Sequence, residues 1–146
     1  METTTASQSN STLQSLLDKL HLRPLNTCVL VVEDEGFVRE VTAEILEAAG
    51  YQVLKARSAA EALTVFRQCR ERLDLLVADV VLPGRNGRDL AREMSAACPT
   101  MKTIFISGYP ENSVVGKAAC GPATFYLPKP FSVEALMEKV HEALGR

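Results

Sequence analysis

The sequence predicts an α/β chain built on a doubly wound, five-stranded parallel sheet. Three observations predict it. From residue 27 onward, short apolar runs alternate with segments of helical period. The runs are apolar almost throughout, as in strands covered on both faces. Each stops at a polar, glycine or proline residue, and the segment that follows returns the chain for another parallel strand.

Residues 1–26 stand apart as an N-terminal extension. METTTASQSN is rich in Ser and Thr and reads as disordered. In STLQSLLDKLHL, Leu13, Leu16, Leu17 and Leu20 recur at i, i+3, i+4 and i+7, one stripe of a short amphipathic helix. Ser11 and Gln14 fit a capping box at its start, and Pro24 lies past its end. Such a helix of about ten residues is marginal alone in water, so its leucines need a surface. Three readings stay open: packing on the following domain, a homodimer contact, or the remnant of a linker from a longer protein.

The domain itself is placed at 27–146. Cys28-Val29-Leu30-Val31-Val32 is the first strand. A helix near 37–49 follows, with Val38, Val41, Ile45 and Ala49 on one stripe and Gly50 at its C-terminal cap. After strand 51–56, Ser58 and Glu61 form a capping box for a helix striped by Ala59, Ala62, Leu63 and Phe66. Strand 73–79 is mostly apolar and ends on Asp79. Pro83-Gly84-Arg85-Asn86-Gly87 reads as a turn before a helix near 88–97. Strand 102–107 ends on Ser107. The segment 111–121 has only Val114 and Val115 as sizeable apolar anchors, and predicts a frayed helix or mobile loop. Strand 123–127 precedes Pro128-Lys129-Pro130. A last helix near 132–144 carries Val133, Leu136, Met137, Val140 and Leu144 on one face. Right-handed crossovers leave few windings for such a sheet, and the order 2-1-3-4-5 is one of them.

Composition narrows the function. The chain has 146 residues, 47% apolar and 23% charged, enough for one domain with a sizeable core. A net charge of −2 gives no general basic field for nucleic acid or anionic lipid. No apolar run reaches membrane-spanning length, and the N-terminus lacks the apolar stretch of a secretory signal. Cys28, Cys69, Cys98 and Cys120 form no CxxC, and His21 and His141 lie far apart. Neither a zinc site nor a disulfide framework is expected, and the thiols read as reduced in a cytoplasm.

Ligands of open α/β sheets sit beyond the C-terminal strand ends, where the strand order switches. In the order 2-1-3-4-5 that point lies between the first and third strands, so Glu33-Asp34 and Asp79 would converge there. Clustered carboxylates need a cation, and oxygen ligands suit a hard divalent ion. Mg²⁺ is expected, on these acids, a backbone carbonyl near Val81, waters and a phosphoryl oxygen. Ser107 and Lys129 end strands on the same side. A hydroxyl and an ammonium beside an acidic metal site suit phosphoryl recognition. In that reading Asp79 is the nucleophile that becomes an acyl phosphate, while the metal and Lys129 neutralise the equatorial oxygens.

VLVVEDE (29–35), LLVADVVLPGRNGRDL (75–90), IFISGY (104–109) and FYLPKPF (125–131) together resemble the response-regulator receiver domains of two-component signalling. The resemblance implies a flavodoxin-like receiver fold. It makes Glu33 and Asp34 the acidic metal pair, Asp79 the phosphoacceptor and Ser107 the hydroxyl that closes on the phosphoryl group. Tyr126 matches the aromatic whose rotamer follows activation. Lys129 matches the site lysine, and Lys129-Pro130 the bond usually held in cis. Glu33 departs from the commoner Asp, which leaves open whether it reaches Mg²⁺ directly or through water. Ser107 stands where Thr is commoner.

The resemblance also implies partners. The phosphodonor would be a histidine kinase or histidine phosphotransfer protein, docking near Phe37. A downstream protein would bind the face formed by the fourth helix, fifth strand and fifth helix, which could equally serve a homodimer. No nucleic-acid or membrane partner is expected, and no enzyme activity beyond the domain's own phosphorylation and dephosphorylation. A stand-alone receiver leads, and the receiver module of a hybrid histidine kinase is the second reading. A haloacid-dehalogenase-like phosphatase wants a general acid two residues after its nucleophile, and position 81 is Val. An inert pseudo-receiver is disfavoured because the acid, hydroxyl and lysine positions are all filled.

Overall fold

The computed structural model describes residues 27–70, 72–108 and 123–145. The expected N-terminal helix and the weak segment 111–121 lie outside them. The chain forms β1 (Cys28–Val32), α1 (Gly36–Ala48), β2 (Gln52–Ala56), α2 (Ala59–Gln68) and β3 (Leu75–Asp79). A small hairpin of β4 (Val81–Leu82) and β5 (Arg85–Asn86) comes next, then α3 (Gly87–Ala97), β6 (Lys102–Ser107), β7 (Thr124–Pro128) and α4 (Val133–Leu144). The five long strands are parallel in the order β2-β1-β3-β6-β7. With the hairpin set aside this is 2-1-3-4-5, the winding expected.

Side chains alternate across the sheet, so each strand feeds two cores. Leu30, Val32, Leu76, Ala78 and Phe105 face one side, where Ala59, Ala62 and Phe66 of α2 and Leu90, Ala91 and Met94 of α3 cover them. Val29, Val31, Leu75, Val77, Ile104 and Ile106 face the other, under Leu46 of α1 and Leu136, Val140 and Ala143 of α4. Burial on both faces is why β1 and β3 read as apolar runs, whereas the edge strand β2 keeps Gln52 and Lys55 exposed.

Three expectations need correction. The buried face of α1 is Thr42, Ala43 and Leu46, whereas Val38, Val41, Ile45 and Ala49 are only half-buried. Leu46 is the large residue at the centre of that face, Ile45 and Ala49 pack against the core from its edge, and the buried Thr42 hydroxyl is satisfied by donating to the Val38 carbonyl at 2.7 Å. Val133, the first residue of α4, is 52% exposed, and the buried face of that helix is Leu136, Val140 and Ala143. Asn86 is not a simple turn residue. The turn is the β4–β5 hairpin, and the Asn86 side chain caps α3 by accepting from Arg88 N–H at 2.7 Å.

The caps otherwise follow the sequence. Ser58 Oγ accepts from Glu61 N–H at 3.1 Å, while Glu61 Oε1 accepts from Arg57 N–H at 3.0 Å, one residue earlier than a capping box has it. Gly50 takes φ +97° just past α1, the left-handed stop that glycine permits. Among the described residues no helix is long and apolar enough to cross a membrane.

Candidate functional site

The C-terminal ends of β1, β3, β6 and β7 bring the charged and hydroxyl residues together. Glu33 follows β1 directly. Its N–H donates to the Ala56 carbonyl at 3.0 Å, which continues the β1–β2 ladder and buries the residue to 2% exposure. Its Oε2 accepts from Glu35 N–H at 3.1 Å. Asp34, one position on, is exposed. Asp79 closes β3 and is buried; its Oδ1 accepts from Val81 N–H at 2.9 Å.

Lys129 follows β7 and reaches back across the strand ends. Its ammonium donates to Asp79 Oδ2 at 2.7 Å. It also stands 2.8 Å from Glu33 Oε1, an ion pair without hydrogen-bond alignment. Burial pushes the Glu33 carboxyl above its ordinary 4.5, against the pull of Lys129 and the Glu35 N–H. Burial works against the Lys129 charge as well, but its pairing with Asp79 and Glu33 outweighs it and holds its pKa above 10.5. The two shifts belong to one pair: the ammonium is secured, and Glu33 is the acid on which desolvation tells.

One carboxylate oxygen from each of Glu33, Asp34 and Asp79 lies within 4.8 Å of the others. Three acids so close repel, and one ammonium does not balance them. An all-oxygen donor set of this kind suits a hard divalent cation.

Ser107 ends β6 and is buried next to this cluster in register: Asp79 pairs with Ile106, and Ser107 with Pro128. Lys129 N–H donates to the Ser107 carbonyl at 2.8 Å. Tyr126 lies inward on β7, 9% exposed, with its ring 5.6 Å from that of Phe105 and tilted by 44°. The Lys129–Pro130 bond is cis.

Sequence reasoning missed two residues here. Gly87 opens α3 with its N–H on the Val80 carbonyl at 2.8 Å, and a methyl group built on it would collide with the Asp79 carbonyl. The Asn-Gly pair was the signal, but it reads as turn chemistry until the close approach is seen. Arg39 donates to the Glu33 carbonyl at 2.9 Å from the first turns of α1. Nothing in the one-dimensional pattern marks that contact. Beside the site, Phe37, Val38, Val41, Thr42, Pro130 and Phe131 line a groove of about 470 Å³, and Phe37 is 78% exposed.

The family model of the response regulator receiver domain matches residues 29–141. The chain belongs to that family. The receiver is 39% identical over 118 residues to the sensor kinase CckA of Brucella abortus, covering 81% of this chain and 12% of that protein. It is 25% identical over 120 residues to the sporulation initiation phosphotransferase F of Bacillus subtilis, which it covers to 95%. A crystal structure of the receiver domain from the hybrid histidine kinase CckA superposes with a TM-score of 0.69 at 36% identity, over 80% of this chain and 98% of that one. Four curated relatives are matched over only 12% to 30% of their length. Receiver domains are signalling modules of two-component systems, and that class of role is this chain's.

Proposed function

We propose that this receiver takes a phosphoryl group from a phosphohistidine onto Asp79 and uses it to switch a protein-binding face. The observation that carries the reading is the Lys129 ammonium lying between the buried carboxylates of Glu33 and Asp79, with Asp34 beside them. An Asp79 oxygen attacks phosphorus, the phosphorus–nitrogen bond breaks, and its electron pair leaves on the imidazole of a histidine kinase or phosphotransfer protein. Lys129 is held where negative charge gathers on the transferred group. The Ser107 hydroxyl hydrogen-bonds a phosphoryl oxygen, and phosphorylation biases Tyr126 toward the inward rotamer of the switched state. Glu33, Asp34, Asp79 and the Val81 backbone carbonyl would hold Mg²⁺, which would supply the charge neutralisation that lets these acids and a phosphoryl group coexist. The work is done in a cytoplasm, without turnover of a separate substrate.

The test is chemical. Acetyl phosphate with Mg²⁺ should add one phosphoryl group to the wild-type chain and none to Asp79→Asn, read by intact mass. Equal labelling of both, or of neither, sinks the reading. A second reading, the receiver module of a hybrid histidine kinase, is favoured by the match to the CckA receiver. Phosphotransfer from a kinase core encoded in the same reading frame would select it.

A further inference from the structure

We propose that Arg39 is a positioning residue for the acidic pair: it fixes the Glu33–Asp34 peptide and so sets how tightly the site takes its divalent cation. The inference rests on the Mg²⁺ site proposed above and concerns a residue outside its donor set. Arg39 is a surface-helix arginine by sequence, yet its side chain is only 20% exposed. Its Nη1 donates to the Glu33 carbonyl at 2.9 Å. Its own N–H donates to the Glu35 carbonyl at 2.9 Å. Backbone and side chain of one residue therefore clamp both ends of the turn that carries Asp34.

The guanidinium is held in turn. Its Nε stands 3.6 Å from Glu40, and Glu40 accepts from Lys55 of β2 at 2.8 Å. The contrast with Asp34 is the point. Glu33 has its N–H, its carbonyl and both carboxylate oxygens engaged. Asp34 is exposed, so its aim depends on the peptide that precedes it. A planar, multiply hydrogen-bonded cation holds a carbonyl in one orientation better than a flexible ammonium does.

Charge and positioning act in opposite directions, which makes the idea testable. As a mere cation near three acids, Arg39 would repel Mg²⁺, and its removal would tighten binding. As a positioning group, its removal weakens binding, by about tenfold for an outer-shell partner. The experiment titrates Mg²⁺ into wild type, Arg39→Gln, Arg39→Lys and Glu40→Gln, followed by amide shifts in two-dimensional NMR. The carbonyl carbon shift of Glu33 is read before metal is added. The expected result is about tenfold weaker Mg²⁺ binding in Arg39→Gln, partial recovery in Arg39→Lys, a smaller loss in Glu40→Gln than in Arg39→Gln, and a moved Glu33 carbonyl resonance in Arg39→Gln. Unchanged or tighter binding in Arg39→Gln overturns the proposal. If that variant does not fold, Arg39→Lys decides, and wild-type affinity there overturns it. A wild-type chain that takes up no Mg²⁺ overturns the metal-site reading and this inference together, whereas equal uptake by wild type and Arg39→Gln overturns this inference alone.

Discussion

Lys129 Nζ lies 2.7 Å from Asp79 Oδ2, a contact between residues fifty positions apart in the chain. It joins the end of the central strand to the loop after the edge strand, and the same ammonium pairs with Glu33.

Removing that ammonium leaves two buried acids facing each other. In Mg²⁺-free buffer Lys129→Met should lower stability by about 1–2 kcal/mol, less than for a fully buried pair because the lysine side chain is 26% exposed. Added Mg²⁺ should restore most of it, and phosphorylation by acetyl phosphate should slow by about a hundredfold. Urea unfolding with and without Mg²⁺ checks the first part. A variant as stable as wild type in chelator would show that the pair is worth nothing.

The pH dependence has a definite sign. Glu33 is raised by burial, so the folded chain binds its proton more tightly than the unfolded one. Its contribution is fully present below 4.5 and is lost as pH rises through the raised value. Glu33→Gln removes this loss, so the variant should gain on wild type as pH climbs from acid toward neutral. Lys129, also raised, contributes below 10.5, and that contribution is lost as pH rises through its folded value. Urea midpoints across pH in chelator test both, and parallel curves for wild type and Glu33→Gln would refute the first.

Gly87 has no room for a side chain. Gly87→Ala should cost about 2–3 kcal/mol, since the added methyl meets the Asp79 carbonyl rather than a side chain that yields. The variant should also lose phosphorylation beyond what its unfolded fraction explains, because relief of the clash displaces Asp79. A fully active, undestabilised variant would mean the backbone gives way freely.

Phe37 separates docking from chemistry. Phe37→Ala should change stability by under about 0.5 kcal/mol, as the ring is 78% exposed. Labelling by acetyl phosphate should stay within twofold of wild type. Transfer from a phosphohistidine protein should fall about tenfold if the ring anchors the donor. Equal slowing with both donors would place Phe37 in the chemistry and not in docking.

Much of this molecule is legible in its sequence, for a physical reason. Strands buried on both faces must be apolar, so Leu75 to Ala78 mark β3 unmistakably, and the first polar residue, the buried Asp79, marks where the strand ends. The site is written in the same place, at strand ends. What escapes is contact across the chain. The half-buried edge of α1 depends on how the helix rolls against the sheet, which Val38 and Val41 do not encode by size alone. The hairpin after Asp79, the clash that reserves position 87 for glycine, and the Arg39 bond to a carbonyl are three-dimensional facts. Each involves main-chain atoms, which every residue carries, so side-chain identity leaves no trace of them.

The main-chain bond from Lys129 N–H to the Ser107 carbonyl has a consequence for evolution and engineering alike. The hydroxyl and the ammonium hang from two backbones that are geared together at that point. Exchanging either side chain leaves the gear intact, so the serine and the lysine travel as one part even in a variant that has lost one of their functional groups. Uncoupling them requires changing how β6 and β7 run past each other, a shift of the frame that no single side-chain replacement at either position produces.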